Sequence, residues 1–259
     1  MQNQLFDRFS PLIRSLSAAE LNGAPSLNAK LRLTQADKVE VCYAPLEYVN
    51  RDARVVIVGI TPGRTQWLNA LKEVRQQLDC GANAQQALKA AKQSASFSGA
   101  MRPNLVSLLD RVGLNRWLKL HSCEELFGSA FHLVQTASVL RNPVFVGGEN
   151  YNGTPNMTRH PLLREQLLAY FGEDAKMLPC AVFVPLGEKV TEALNFLADQ
   201  GRLDRRQILD GLPHPSGANA ERIAYFLGKK KRADLSAKTA PDNLDKAREK
   251  LTHEITALL

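Results

Sequence analysis

The sequence contains no long apolar run. No stretch approaches the roughly 18 consecutive apolar residues that a membrane-spanning helix needs, and the first residues form neither the basic nor the apolar segment of a secretory signal. We therefore expect a cytoplasmic protein. With 259 residues and 44% hydrophobic content, the chain can bury one substantial core, so we expect a single domain over residues 1–259.

Cysteine is scarce and scattered along the chain. The spacings are too wide for the clustered ligands of zinc or iron–sulfur sites, so no metal is predicted. We expect the thiols to be reduced and mostly buried as small apolar groups. The four cysteines are Cys42, Cys80, Cys123 and Cys180.

Acidic residues are too few to balance the basic ones. The chain has 33 Lys and Arg against 26 Asp and Glu, a net charge of +7, which favours an anionic partner. The segment 229–259 holds eight basic and five acidic residues, so part of the excess lies elsewhere. A modest lysine excess is also common on soluble proteins, so charge supports a nucleic-acid partner without identifying one.

Continuously apolar runs separated by helix-length segments predict an α/β fold with a parallel sheet. In such sheets ligands bind beyond the carboxyl ends of the strands. The predicted strands are 54–60, 131–140, 181–186 and 206–209, and the predicted helices lie near 66–79, 84–93, 103–112, 161–171 and 188–200.

The ends of the chain have patterns of their own. We expect a helical extension over 1–50, with an amphipathic helix at 1–22 and a strand at 39–43. A basic helical tail is expected at 229–259, where Pro241 begins a helix with an apolar stripe that needs a partner surface.

Two strand-end loops are built alike. One apolar run breaks into Thr-Pro-Gly at 61–63, and another leads into Gly-Leu-Pro-His-Pro-Ser-Gly-Ala-Asn at 211–219. In the second loop, prolines on both sides of His214 fix two backbone φ angles. Ser216 and Asn219 are residue types that cap helix N-termini, where unpaired amides attract anions. The common construction indicates one shared site.

In this order the two loops resemble the signature loops of the uracil-DNA glycosylase superfamily. Three segments between them extend the resemblance to the iron–sulfur uracil glycosylases: Phe-Ser-Gly at 97–99, the strand-like run 134–143 and the strand-like run 182–187. The landmarks cover roughly residues 53–228 of the chain. The iron–sulfur cluster is not carried over, because the close cysteine spacing is missing.

The resemblance implies a three-layer αβα fold around a mainly parallel four-stranded sheet, and a monomeric DNA glycosylase without a cofactor. His214 matches the histidine that donates a hydrogen bond to the departing base, Phe97 the ring that stacks on a flipped base, and Ser216 a phosphate contact. The predicted catalytic residues are His214, Thr61 and Gln66. The predicted base-binding residues are Phe97, Thr136, Ile60, Asn150, Tyr151 and Asn152. The predicted phosphate-binding residues are Pro62, Gly63, Ser216, Gly217 and Asn219.

Several residues depart from the superfamily pattern. Thr61 stands where active uracil enzymes have Asp or Asn, and a hydroxyl cannot take a proton from water at neutral pH. Thr136 replaces the Asn that reads the uracil edge, so strict uracil recognition is not expected. The loop 147–156 is either a surface connection or a substrate contact. The run 229–232 is either a solvated linker or a segment that binds a phosphate backbone.

These departures leave three functions open. The first is a glycosylase for a damaged or modified pyrimidine, such as a modified cytosine in foreign DNA, or for uracil in ordinary repair. The second is a nucleic-acid-binding module that has lost turnover. The third is an unrelated α/β enzyme acting on a small phosphorylated substrate. Phe97 as a plain core residue and His214 as a turn-stabilising residue are the structural alternatives for the two main site residues.

Overall fold

The computed structural model describes residues 4–95, 97 and 101–259. The chain forms two compact units, each built from three segments. Unit 1 comprises Met1–Val49, Ile60–Ser96 and Ser138–Asp174, and unit 2 comprises Asn50–Gly59, Phe97–Ala137 and Ala175–Leu259. A single domain over 1–259 stays a prediction.

Groups of helices and groups of strands follow one another along the chain, so the fold is mixed α/β. The helices are α1 (Gln4–Ser15), α2 (Ala18–Leu21), α3 (Ser26–Leu31), α4 (Arg64–Asp79), α5 (Ala84–Ala95), α6 (Met101–Arg111), α7 (Leu114–Leu118), α8 (Pro161–Gln166), α9 (Gly172–Lys176), α10 (Glu188–Asp199), α11 (Ala220–Phe226) and α12 (Pro241–Thr256). The strands are β1 (Arg32–Ala36), β2 (Val39–Cys42), β3 (Val55–Gly59), β4 (Val134–Ser138), β5 (Val144–Val146), β6 (Glu149–Asn150) and β7 (Val182–Pro185).

The sheet of unit 2 is parallel, with strand order β4-β3-β7. In the central strand β3, Val55 to Val58 are all buried, as is typical of a strand covered on both faces. Val55 pairs with Val182 and Val58 with Pro185. The strands predicted at 54–60, 131–140 and 181–186 are confirmed, with shorter bounds.

The fourth strand predicted at 206–209 is reduced to one bridge. Ile208 forms an isolated parallel bridge to Phe183, and the amide of Leu209 donates to the Phe183 carbonyl at 2.8 Å. The preceding residues form a 3-10 turn, because the Asp204 carboxylate accepts a hydrogen bond from the Arg206 amide. This turn ends at Gln207, directly before the bridge residue Ile208.

Unit 1 contains an antiparallel sheet with strand order β1-β2-β5-β6. The strand predicted at 39–43 is confirmed as β2. The expected helical extension over 1–50 is wrong in part, since it includes the β1-β2 hairpin. Strand β1 was not predicted, because its residues are exposed or half-buried and its sequence has no alternation of apolar and polar residues.

The single helix predicted at 1–22 is interrupted. Ser17 begins the second helix, α2: its side chain accepts from the Glu20 amide at 3.2 Å, and the Glu20 carboxylate accepts from the Ser17 amide at 2.9 Å. This reciprocal capping box supplies hydrogen-bond acceptors to the amides at the start of α2, so a new helix begins there and α1 does not continue. The helix predicted at 161–171 instead continues to Lys176 through a π-helical turn. The other predicted helices are confirmed.

Each unit has its own core. In unit 1, the indole nitrogen of Trp67 on α4 donates to the Tyr43 carbonyl at 2.7 Å, and Tyr43 stacks on Phe9 with ring centroids 4.4 Å apart. In unit 2, β3 and β7 pack with residues of α6, α7, α11 and α12. The stripe predicted on α12 supplies buried Leu251 and Ile255 to this core.

The four cysteines are free, but only half of them are buried. Cys42 and Cys123 are buried, whereas Cys80 and Cys180 are exposed, so the expectation of mostly buried thiols is wrong for the second pair. Burial raises the pKa of the Cys42 thiol to about 12, which makes it unreactive.

Unit 1 buries ionisable side chains. The Tyr43 hydroxyl donates to the Glu47 carboxylate at 3.0 Å, and Arg141 binds Asp174 with two hydrogen bonds of 2.7 and 3.1 Å. Lys92 donates to the Leu46 carbonyl at 2.9 Å. Burial raises the pKa of Glu47 to about 7 and lowers the pKa of Lys92 to about 8. The core of unit 1 therefore contains groups that titrate near neutral pH.

We expect Glu47→Gln to stabilise the protein more at pH 8 than at pH 5. The folded protein binds the Glu47 proton more tightly than the unfolded chain, so its free energy of unfolding falls as pH rises from about 4.5 to about 7. Glutamine removes this dependence. Thermal melts from pH 5 to 8 measure it, with exposed Glu149→Gln as control. A Tm difference between variant and wild type that does not change with pH would contradict the assignment.

Candidate functional site

The carboxyl ends of β3 and β7 lie side by side in unit 2. The Leu186 amide donates to the Val58 carbonyl at 2.9 Å, which brings Gly59 and Gly187 to the same edge of the sheet. Gly187 has a φ of +96°, a conformation that favours glycine. Parallel α/β sheets bind ligands at this edge.

His214 lies against Gly187. A methyl group on Gly187 would be 3.7 Å from Cβ and Cδ2 of the histidine. The Nδ1 atom of half-buried His214 accepts a hydrogen bond from the Ser216 amide at 3.2 Å. An accepting Nδ1 has no proton, so the neutral ring has its proton on Nε2. Burial lowers the pKa of His214 below its usual 6.5, and the ring is uncharged at neutral pH.

Two side-chain amides hold the His214 loop. Asn104, in the first turns of α6, donates to the Pro215 carbonyl at 3.0 Å. Asn219 donates to the Ser216 hydroxyl oxygen at 3.2 Å, and a hydroxyl that accepts in this way can still donate its own hydrogen to an anion. Asn104 was not among the predicted site residues, because its only signal in the sequence is a polar residue directly before the apolar Leu105.

Phe97 covers the end of β3. A methyl group on Gly59 would be 3.7 Å from Cε1 and Cζ of the phenyl ring and 3.8 Å from the Ala137 carbonyl oxygen. Phe97 is 9% exposed, belongs to the core of unit 2, and has a φ of +39° that is strained for a non-glycine residue. Ser98 and Gly99 of the predicted landmark lie outside the described residues.

Thr136 is buried in β4, one residue before Ala137. Unit 2 therefore contains four predicted residues. Phe97 and His214 lie at the carboxyl edge of the sheet, Ser216 lies in the His214 loop, and Thr136 lies in the middle of β4. Of the predicted phosphate contacts that follow Ser216, Gly217 is exposed and Asn219 is half-buried.

Thr61 belongs to unit 1, and its hydroxyl has two backbone partners there. It donates to the Asn142 carbonyl and accepts from the Val144 amide, both at 3.2 Å. The single hydroxyl hydrogen is thus used in holding the loop to the segment before β5. The predicted role of Thr61 in positioning water stays a prediction.

The start of α4 is capped by two of the predicted site residues. The Gln66 side chain accepts from the Gly63 amide at 2.8 Å, and Asn150 accepts from the Arg64 amide at 3.0 Å. Pro62 is buried, and the Ile60 carbonyl accepts from the Leu140 amide at 3.0 Å. These bonds give the residues structural roles in unit 1.

The two remaining predicted contacts of the polar loop differ in exposure. Tyr151 is 4% exposed, and its hydroxyl donates to the Pro155 carbonyl at 2.5 Å. Asn152 is exposed and accepts from the Thr154 amide at 3.3 Å, which makes a local turn. Asn152, like Asn150, is therefore exposed to solvent, whereas Tyr151 is buried.

Neither metal ligands nor membrane spans are found in the described ranges. Within 4–95, 97 and 101–259, no three His, Cys, Asp or Glu side chains are grouped so that they could hold a metal ion. No helix in these ranges combines the length and the apolar character needed to cross a membrane.

The chain is similar to a protein of Bacillus subtilis (strain 168) named uncharacterized protein YoxB. The two are 34% identical over 235 residues, which is 90% of this chain and 92% of YoxB. No protein-family model and no solved structure matches the chain.

We expect Thr61→Val to lower the free energy of unfolding by about 1–3 kcal/mol, because it leaves the Asn142 carbonyl and the Val144 amide without their partner. Thr61→Ser keeps both hydrogen bonds and should cost less. Urea denaturation measures the change, with exposed Thr65→Val in the first turn of α4 as the control. Equal stability of Thr61→Val and Thr61→Ser would show that the hydroxyl does not hold the loop.

Proposed function

The chain belongs to the same family as YoxB of Bacillus subtilis, and we propose that it is a DNA glycosylase. It would hydrolyse the N-glycosidic bond of a flipped, damaged or modified pyrimidine without a cofactor. The fold would be the three-layer αβα arrangement of the uracil-DNA glycosylase superfamily, with Ile208 marking its fourth strand. The observation that carries the proposal is the neutral His214 with its proton on Nε2, beside the carboxyl edge of the parallel sheet.

The chemistry requires stabilisation of a departing anion. The bond from C1′ to the base nitrogen breaks and leaves its electron pair on the base, while the sugar gains oxocarbenium character. Water then adds to C1′ and loses a proton, and the base gains one. A neutral Nε2–H donor suits this reaction because it stabilises charge that appears on the base oxygen only in the transition state.

The neighbours of His214 suit a flipped nucleotide. Phe97 offers an aromatic ring at the end of β3 for base stacking, and Thr136 lies in the next strand, where a hydroxyl would contact the base edge. Ser216 is held by Asn219 in the loop that would contact a phosphate. Phe97 is largely buried, so stacking would use only an exposed part of the ring.

A binding module without turnover is the second candidate. The bonds of Thr61 favour it, because a hydroxyl engaged with the Asn142 carbonyl is poorly suited to activating water. An enzyme for a small phosphorylated substrate is the third candidate, and it would lack the strongly salt-dependent DNA binding that the first two share.

We expect His214→Ala to slow base release by about 10²–10³-fold while DNA affinity changes little, since the histidine acts on transition-state charge. Single-turnover assays and DNA binding at fixed salt measure the two effects. The control is His121→Ala, an exposed histidine elsewhere in unit 2. Unchanged single-turnover rates would remove His214 from the mechanism, and absence of base release by the wild type on any modified DNA would favour the binding module.

We expect plain uracil to be excised poorly, because the hydroxyl of Thr136 lacks the paired donor and acceptor of an amide. A larger base, such as a modified cytosine in foreign DNA, would suit a defence role. Oligonucleotides with uracil, hydroxymethylcytosine or glycosylated cytosine are compared by alkali cleavage under single-turnover conditions, in the wild type and in Asn152→Ala. Rapid uracil excision with no activity on modified cytosine would return the chain to ordinary uracil repair.

A further inference from the structure

The segment 229–239, here called the strap, is fastened to α11 by one carboxylate. Glu221 on α11 accepts hydrogen bonds from Lys230 at 2.8 Å, from the Ser236 hydroxyl at 2.6 Å and from the Thr239 hydroxyl at 2.6 Å. It also accepts from the Ser236 amide at 3.1 Å. These partners hold the pKa of Glu221 well below its usual range. The strap therefore has a defined position along α11.

Arg222 connects the strap to the loop that carries Ser216. Its guanidinium donates to the Asn219 side-chain oxygen at 3.5 Å and to the Lys238 carbonyl at 3.4 Å. Asn219 in turn donates to the Ser216 hydroxyl at 3.2 Å. The strap and the Ser216 loop are thus neighbours in unit 2.

The exposed charge of the strap is positive. Within the strap, Lys230 is paired with Glu221, and Arg232 is paired with Asp242 at 2.6 Å. Three lysines remain exposed, with no ion pair among the described residues, against one exposed acid. They are Lys229, Lys231 and Lys238, and the acid is Asp234.

The composition of this surface favours a phosphate backbone over a lipid surface or an apolar protein interface. Its only large apolar side chain, Leu235, is half-buried, and the exposed apolar residues are Ala233 and Ala237. A membrane-surface helix or a protein hot spot would present large apolar or aromatic groups. Lysines without apolar neighbours suit the diffuse charge of a nucleic-acid strand.

We propose that the strap is a second phosphate-binding surface, which binds the DNA strand beside the nucleotide held at the Ser216 loop. This inference rests on the proposed function for the identity of the partner. Glu221 sets the position of the lysines, and Arg222 joins the two surfaces.

The test uses the full-length protein and a labelled 20-nucleotide DNA duplex without modified bases. The variant Lys229→Gln/Lys231→Gln/Lys238→Gln should bind more weakly, and the slope of log K against log salt should become shallower by about 0.9 for each phosphate that the variant no longer neutralises. The matched control Lys38→Gln/Lys89→Gln/Lys119→Gln removes the same charge from exposed positions outside the strap. It should retain most of the slope.

The variant Glu221→Ala tests whether the position of the strap, and not only its positive charge, determines DNA binding. This variant gains one positive charge, so charge alone predicts tighter DNA binding, whereas release of the strap predicts weaker binding and a shallower slope. Thermal melts establish that the variant is folded, and the triple lysine variant tests the surface independently.

The failures of the two proposals are distinguishable. A wild type whose binding shows no salt dependence would end the DNA-based function and the strap inference together. A wild type that binds DNA, with a strap triple variant equal to its control or with tighter binding by Glu221→Ala, would overturn the strap inference alone. The role of His214 in base release would then still be tested separately, by the single-turnover assay of His214→Ala.

Discussion

The parallel pairing of β3 with β7 is the constraint on which the candidate site of unit 2 depends. The register places Val58 opposite Pro185, so both strands end at one edge and their next residues are Gly59 and Leu186. Phe97 packs over the first strand end, and His214 lies against Gly187 just after the second. A slip of one residue would turn the side chains of a strand to the opposite face and remove this juxtaposition.

The two units differ in the polar and ionisable side chains that they bury. Unit 2 buries an apolar cluster around β3 and β7 together with uncharged polar side chains such as Asn50 and Gln135, and His214 beside its sheet edge is a neutral imidazole. Unit 1 instead buries Glu47, Lys92 and Asp174, and Asp174 is paired with half-buried Arg141. Buried charges cost desolvation energy that their partners only partly offset. Glu47 and Lys92 therefore make the stability of unit 1 sensitive to pH near neutrality.

Most elements were predictable because they repeat a simple pattern. The buried run 55–58 of β3 is marked by continuous apolar residues, and the long helix α4 by periodic ones. The sequence pattern did not predict strand β1, nor did it predict that the fourth strand would be reduced to a single bridge at Ile208. β1 pairs with the directly following β2 but has no burial alternation of its own, and the bridge at Ile208 depends on Phe183, which lies far away in the sequence.

The sequence by itself determined the two loops, their order, and the residue types that can donate, stack or bind an anion. Only the tertiary structure decided what those groups do locally. It assigns the proton of His214 to Nε2 through the Ser216 amide, and it engages the Thr61 hydroxyl with the Asn142 carbonyl. It also fastens the basic strap to Glu221. The physical reason is that a hydrogen bond depends on the distance and angle between groups, which residues far apart in the chain acquire only when it folds.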